Sequence, residues 1–158
     1  MAQGRIVGIF VSKRATALPV SVTEVRAAAG RGLEGDRYFV WTGTFSDSDP
    51  KGPGREITLI ERESLDYLKV EHGIGLSGEE ARRNVVTEGV RLNDLVGRRF
   101  MVGEVSLEGV RLCHPCDHLE ELTGKELLGP LKNRGGLRAT ILTDGTIKVG
   151  DPIVLDGS

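Results

Sequence analysis

What most constrains this chain is that short β-branched stretches recur along it, each closed within a few residues by Gly, Asp, Asn or Pro. They run over Arg5–Val11, Val20–Val25, Glu56–Ile60, Asn84–Thr87, Arg98–Val102, Val105–Leu112, Ala139–Leu142, Thr146–Val149 and Ile153–Leu155. The pairs Gly103-Glu104, Asp144-Gly145 and Gly150-Asp151 read as hairpin turns, because Gly or Asp-Gly supplies the positive φ that primed turns need. The C-terminal third is therefore expected to form an antiparallel meander. Helical signals are few. Glu61–His72 places Leu65, Leu68 and His72 on one face, with Gly73 as the stop and His72 reading as a C-terminal cap. A second helix is expected to open at Asp117, with Glu120 completing the capping box, and a short third at Thr123, with Glu126 in that role and Gly129-Pro130 closing it. The reading is mainly β: one β-barrel-like domain over 1–158, decorated by a few short helices.

Length agrees with this, since 158 residues suit one ordinary domain that needs no disulfide or structural metal to fold. The 22 glycines and few aromatics fit many tight turns between short strands. With 21 Lys+Arg against 23 Asp+Glu, the net charge of -2 leaves no overall electrostatic footprint for nucleic acid or an anionic membrane, so neither is expected as a partner. An anion has to be met by a local basic cluster. The N-terminus carries no apolar run of signal-peptide length, and no 18-residue apolar stretch occurs. Two cysteines, Cys113 and Cys116, lie too close together to staple a fold, which points to a reducing, cytoplasmic setting. The stretch Thr42–Arg55 contains nothing to pack and reads as a mobile surface loop, either a substrate lid or an insertion.

The string VRLCHPCDHLEELTG, Val110–Gly124, is the most informative for chemistry. A strand ends at Cys113 and a capped helix opens at Asp117, so Cys116 sits at a helix N-terminus, where unpaired amides and the helix dipole favour a thiolate. The plain alternative is a pair of small buried hydrophobes. Three chemistries compete. Zinc on Cys113, Cys116 and His114 or His118 lacks a second paired cluster, since the remaining histidine, His72, stands alone. A dithiol redox pair has the right local form, but it falls two-thirds along a strand-rich chain and not in an early βαβ unit. The third is a single thiolate presented to a soft metal such as molybdenum, with Cys113 as bystander or resolving thiol.

Other strings concern anions. GLEGDRY, Gly32–Tyr38, sets two glycines around a turn ending in Asp36 and Arg37. ARRNVVTEG, Ala81–Gly89, sets Arg82, Arg83 and Asn84 at a strand entrance, a placement suited to forked contacts with phosphate oxygens. Lys13, Arg14 and Arg55 extend the candidate basic patch, which would select a small phosphorylated ligand. Solvated surface charge is the bland reading of each.

Together these strings resemble the MOSC domain family, named for the C-terminal domain of molybdenum cofactor sulfurase. The resemblance rests on a strand with a downstream basic residue, G-x-x-G-D-R, R-x-N-V-V followed by Gly, a strand ending in C-x-x-C, and the closing D-G-x-I-x-V-G-D-P-I over Asp144–Ile153, in that order. It implies a β-barrel-like fold that binds the molybdenum cofactor, molybdopterin. Cys116 matches the family's metal-ligating cysteine. Lys13 and Arg37 match basic positions that hold the pterin or its phosphate, and Arg82 and Asn84 match the R-x-N cofactor segment, Arg83 being its variable middle. The chain resembles the short standalone bacterial type. The activity implied is two-electron reduction of N-hydroxylated compounds. The alternatives are a sulfur carrier with a persulfide on Cys116 or a cofactor carrier in molybdoenzyme maturation, and, more distantly, a dithiol oxidoreductase. A separate electron-donor protein or sulfur donor is the expected partner. Pyridoxal phosphate belongs to the other half of full-length sulfurases and is not expected here.

Overall fold

The computed structural model describes residues 4–11, 20–36, 56–77, 83–112 and 135–155. The loop expected over 42–55 and the helices expected from Asp117 and Thr123 lie outside them. Eleven strands are formed by the described residues: β1 Gly4–Val11, β2 Val20–Val22, β3 Glu24–Ala28, β4 Gly32–Leu33, β5 Ile57–Glu61, β6 Val85–Glu88, β7 Arg99–Val102, β8 Val105–Leu112, β9 Leu137–Ile141, β10 Gly145–Lys148 and β11 Pro152–Leu155. One α-helix, α1 (Arg62–His72), and a 3-10 turn at Leu92–Leu95 join them.

The main sheet runs β11-β7-β8-β9-β5-β6-β1-β2, and β11 pairs back onto β1 at Gly4↔Ile153 and Arg5↔Pro152. Seven strands thus close into a barrel, which removes the exposed edges an open sheet would present. A second sheet, β10-β3-β4, completes the fold. Period-2 alternation directs Val105 and Leu107 of β8, and Leu137, Ala139 and Ile141 of β9, into the barrel interior with Phe100 and Ile153. Strands β5 and β6 are buried on both faces. Ile57, Leu59 and Val85 point inward, while Ile60 and Val86 point outward beneath α1, where Phe10, Leu68 and Leu76 join them. That double burial explains why ITLI and VV read as continuous apolar runs.

The mainly β, barrel reading is what the structure has; four local expectations are corrected. Val20–Val25 is not one strand. It breaks at Thr23, whose carbonyl accepts from the Val149 N–H at 2.9 Å, so β2 extends β1 while β3 passes to the second sheet. Of the three expected hairpins, Gly103-Glu104 joins the paired β7 and β8, with Gly103 at φ +60°. Asp144-Gly145 and Gly150-Asp151 are corners instead, because β10 takes β3 as its partner and β11 takes β7 and β1; Asp144 Oδ1 receives the Ala29 N–H at 2.7 Å. The meander is confined to β7-β8-β9. Finally, His72 does not share the buried face of α1. Ser64 and Leu68 are buried, and Gly73, in the left-handed region, caps the helix through the Lys69 carbonyl; His72 is exposed and its ring meets Tyr67 edge-on, centroids 5.3 Å apart.

The parallel pairing of β5 with β6 was not legible in advance. β5 and β6 are parallel, with Leu59↔Val85, Ile60↔Val86 and Glu61↔Thr87 in register, and α1 is the crossover that parallel pairing requires. Among the described residues no helix is long and apolar enough to cross a membrane.

Candidate functional site

Parallel pairing of β5 and β6 begins at Leu59↔Val85, and one residue earlier a side chain takes over the ladder. Asn84 Oδ1 accepts from the Thr58 N–H at 3.0 Å and from the Thr58 hydroxyl at 3.1 Å, and Asn84 Nδ2 donates to the Phe10 carbonyl at 3.2 Å. The backbone repeats both links: Asn84 N–H donates to Thr58 Oγ1 at 3.0 Å and Phe10 N–H to the Asn84 carbonyl at 2.6 Å. A carboxamide does this well because one end accepts twice while the other donates. Asn84 is buried, 8 % exposed, so these bonds are made in a setting where their loss is costly. β1, β5 and β6 are thereby tied at one point.

The neighbouring Arg83, half-buried, sends Nε to the Gly135 carbonyl at 2.9 Å, tying this point to the chain entering β9. Gly136 follows at φ +110°, and a Cβ there would lie 2.0 Å from the Leu59 carbonyl oxygen, so only glycine lets β9 approach β5 this closely. At the other end of β9, Glu56, 1 % exposed, accepts the Ile141 N–H on Oε1 at 3.1 Å and fixes the start of β5. Asp36, 6 % exposed, ends the Gly32–Gly35 turn, with its N–H on the Leu33 carbonyl at 3.1 Å.

Of the residues assigned to the cofactor and its metal from sequence, Asn84 is the one described. Lys13, Arg37, Arg82, Cys113 and Cys116 lie outside the described residues. One end of each segment that carries them, however, adjoins the Arg83-Asn84 pair. Phe10 leads into 12–19, which holds Lys13; Glu56 and Thr58 follow 37–55, which begins with Arg37; Arg83 follows 78–82, which ends in Arg82; and Gly135 follows 113–134, which holds Cys116. Thr58 and Arg83 were missed as contributors. A threonine inside a strand carries no signal of its role, and Arg83 was set aside as the variable position of R-x-N. Among the described residues no three His, Cys, Asp or Glu side chains form a metal-ligating group.

Comparison with known proteins decides the family. The MOSC domain matches residues 48–154. The chain belongs to the MOSC family. No curated protein matches this MOSC chain. Among solved structures it is similar to the YuaD protein of Bacillus subtilis, with a TM-score of 0.79 at 17 % identity, covering 96 % of this chain and 94 % of that one. It is also similar to YiiM of Geobacillus stearothermophilus (TM-score 0.74, 18 % identity, covering 97 % of this chain and 75 % of that one) and YiiM of Escherichia coli (0.69, 20 %, 98 % and 70 %). At these identities the likeness establishes the MOSC barrel fold alone.

Proposed function

We propose that this MOSC protein binds the molybdenum cofactor, with the Cys116 thiolate on the metal and Lys13, Arg37 and Arg82 on the pterin phosphate. What supports the reading is the knot at Arg83 and Asn84, from which the segments carrying those residues depart or to which they return. The donor set fits the group: a thiolate for a soft metal and three cations for a phosphate. Asn84 has a second role beside framing, because its Nδ2 carries two protons and Phe10 takes one, leaving an N–H for a ligand oxygen. Arg83 holds the Gly135 carbonyl, where the described chain resumes after 113–134.

When bound, the cofactor supplies the two-electron reduction in which the N–O bond of an N-hydroxylated compound breaks and water leaves, with electrons and protons arriving through a separate donor protein. The chain's own part is to fix the phosphate end by charge-assisted hydrogen bonds and to offer a sulfur to the metal. The setting is a reducing, cytoplasmic one, in which both thiols stay free.

The test is molybdenum by plasma mass spectrometry and oxidised-pterin fluorescence on protein from a cofactor-producing host, beside Cys116→Ala. Near-stoichiometric metal that disappears in the variant supports the reading. Absence of both metal and pterin from the wild type overturns it, and a sulfane-sulfur adduct on Cys116 then makes the chain a sulfur carrier. Cys113→Ser keeps full metal content and activity; loss of activity there would restore the dithiol chemistry.

A further inference from the structure

Arg111, near the end of β8, stands directly opposite Arg138, near the start of β9, in the antiparallel register. Residues so paired project from the same face with Cβ atoms about 4.5–5.5 Å apart. That face is the outer one, since Leu137 and Ala139 on either side of Arg138 fill the barrel. Like charges facing each other across a ladder repel, and an arginine pair with no acid in the row is an arrangement that folding alone does not favour.

The surroundings do not relieve it. On the far side of Arg138 the register places Thr58, whose hydroxyl is engaged by Asn84. In the next row Glu108 faces Arg99 at 3.9 Å, and Glu56, two residues before Thr58, receives the Ile141 N–H. Arg5, Arg62 and Arg91 each have a carboxylate partner. Among the described residues Arg111 and Arg138 have none. With Val96 and Leu112 they line an open cavity of about 640 Å³.

We propose that this cavity binds a small oxyanion, a carboxylate or a phosphate ester, clamped between Arg111 and Arg138. Guanidinium forks match both groups in geometry, and an anion between the two removes the repulsion the empty ladder carries. Val96, 41 % exposed, and Leu112 supply an apolar flank, so the anion is borne by a molecule with a small apolar part. The site uses neither Cys116 nor Lys13, Arg37 or Arg82, and it stands whether or not the cofactor reading does.

The full-length chain is titrated with inorganic phosphate and, separately, with succinate at constant ionic strength, while the side-chain Nε–Hε signals of its arginines are followed by NMR. The signals of Arg111 and Arg138 are expected to shift together and saturate with a dissociation constant on the order of 1–10 mM, whereas that of Arg5 stays still. The tighter probe identifies a phosphate or a carboxylate site. Arg138→Gln abolishes saturation at Arg111, and Arg111→Gln abolishes it at Arg138. Without anion, Arg111→Gln raises the melting midpoint by about 1–2 °C, and phosphate at about ten times its dissociation constant stabilises the wild type but not the variant. Linear shifts shared by every arginine with both probes overturn the proposal, as does saturation at Arg111 that survives Arg138→Gln.

Discussion

Asn84→Ala tests the knot directly. The substitution removes the acceptor of the Thr58 N–H and hydroxyl and the donor to the Phe10 carbonyl, three hydrogen bonds at a residue 8 % exposed. Each is worth about 1 kcal/mol net, and leaving a partly buried N–H without an acceptor adds to that, so about 3 kcal/mol of stability should be lost. With a urea m-value of about 2 kcal/mol/M, the unfolding midpoint falls by about 1.5 M, and the thermal midpoint by about 6–12 °C. Thr58→Val removes the reciprocal hydroxyl and leaves the Asn84 N–H without its side-chain acceptor, at a cost of about 1–2 kcal/mol. Because the two residues share bonds, the double variant should lose less than the sum of the single losses, by about 1 kcal/mol. Urea unfolding followed by circular dichroism on the four proteins gives all three numbers. A loss below 1 kcal/mol for Asn84→Ala with an unchanged m-value, or strict additivity, would refute the idea that Asn84 carries the ladder past the start of β6.

Gly136→Ala should cost about 3 kcal/mol or more, because its Cβ meets the Leu59 carbonyl backbone at 2.0 Å as well as a φ of +110°; Gly97→Ala, at φ +76° with open space around it, should cost only about 1 kcal/mol. Equal shifts in thermal midpoint would show that conformation alone restricts position 136. Leu68→Ala, at a fully buried site on α1, should lose about 2–5 kcal/mol in urea unfolding, whereas Val70→Ala, at a site 77 % exposed on the same helix, should stay within about 0.5 kcal/mol. Arg83→Ala should leave global stability within about 1.5 kcal/mol but speed hydrogen exchange at Gly136 and Leu137, since it frees the neighbouring Gly135 carbonyl; unchanged exchange there would remove Arg83 as the anchor of the chain entering β9.

The legibility of this chain follows the range of the interaction concerned. Val105–Leu112 was readable to the residue because alternation and the Gly103-Glu104 turn both act within a few positions. The end of α1 was readable for the same reason, since Gly73 caps with its own backbone. His72 was misread because a helix face is buried only where something packs on it, and the outer cluster of Phe10, Ile60 and Val86 reaches Leu68 but not the last turn. At the candidate site, R-x-N singled out the entrance of β6, but the use of Asn84 as the tie between β1, β5 and β6 depends on Phe10 and Thr58, which lie 74 and 26 residues away.

By itself, then, the sequence determined the strand-rich class, most strand positions, the helix after β5 and, through its ordered motifs, the MOSC family. Only the tertiary structure decided which strand each strand takes as neighbour: β5 parallel to β6, β10 withdrawn to a second sheet, and β11 closing the barrel on β1. The reason is physical. Alternation and turn chemistry set where a strand lies and which face is apolar, but every apolar face is satisfied by several partners of similar pattern, and the choice among them rests on closing the barrel as a whole. The facing of Arg111 and Arg138 belongs to the same class: neither arginine announces the other, and register alone brings them together.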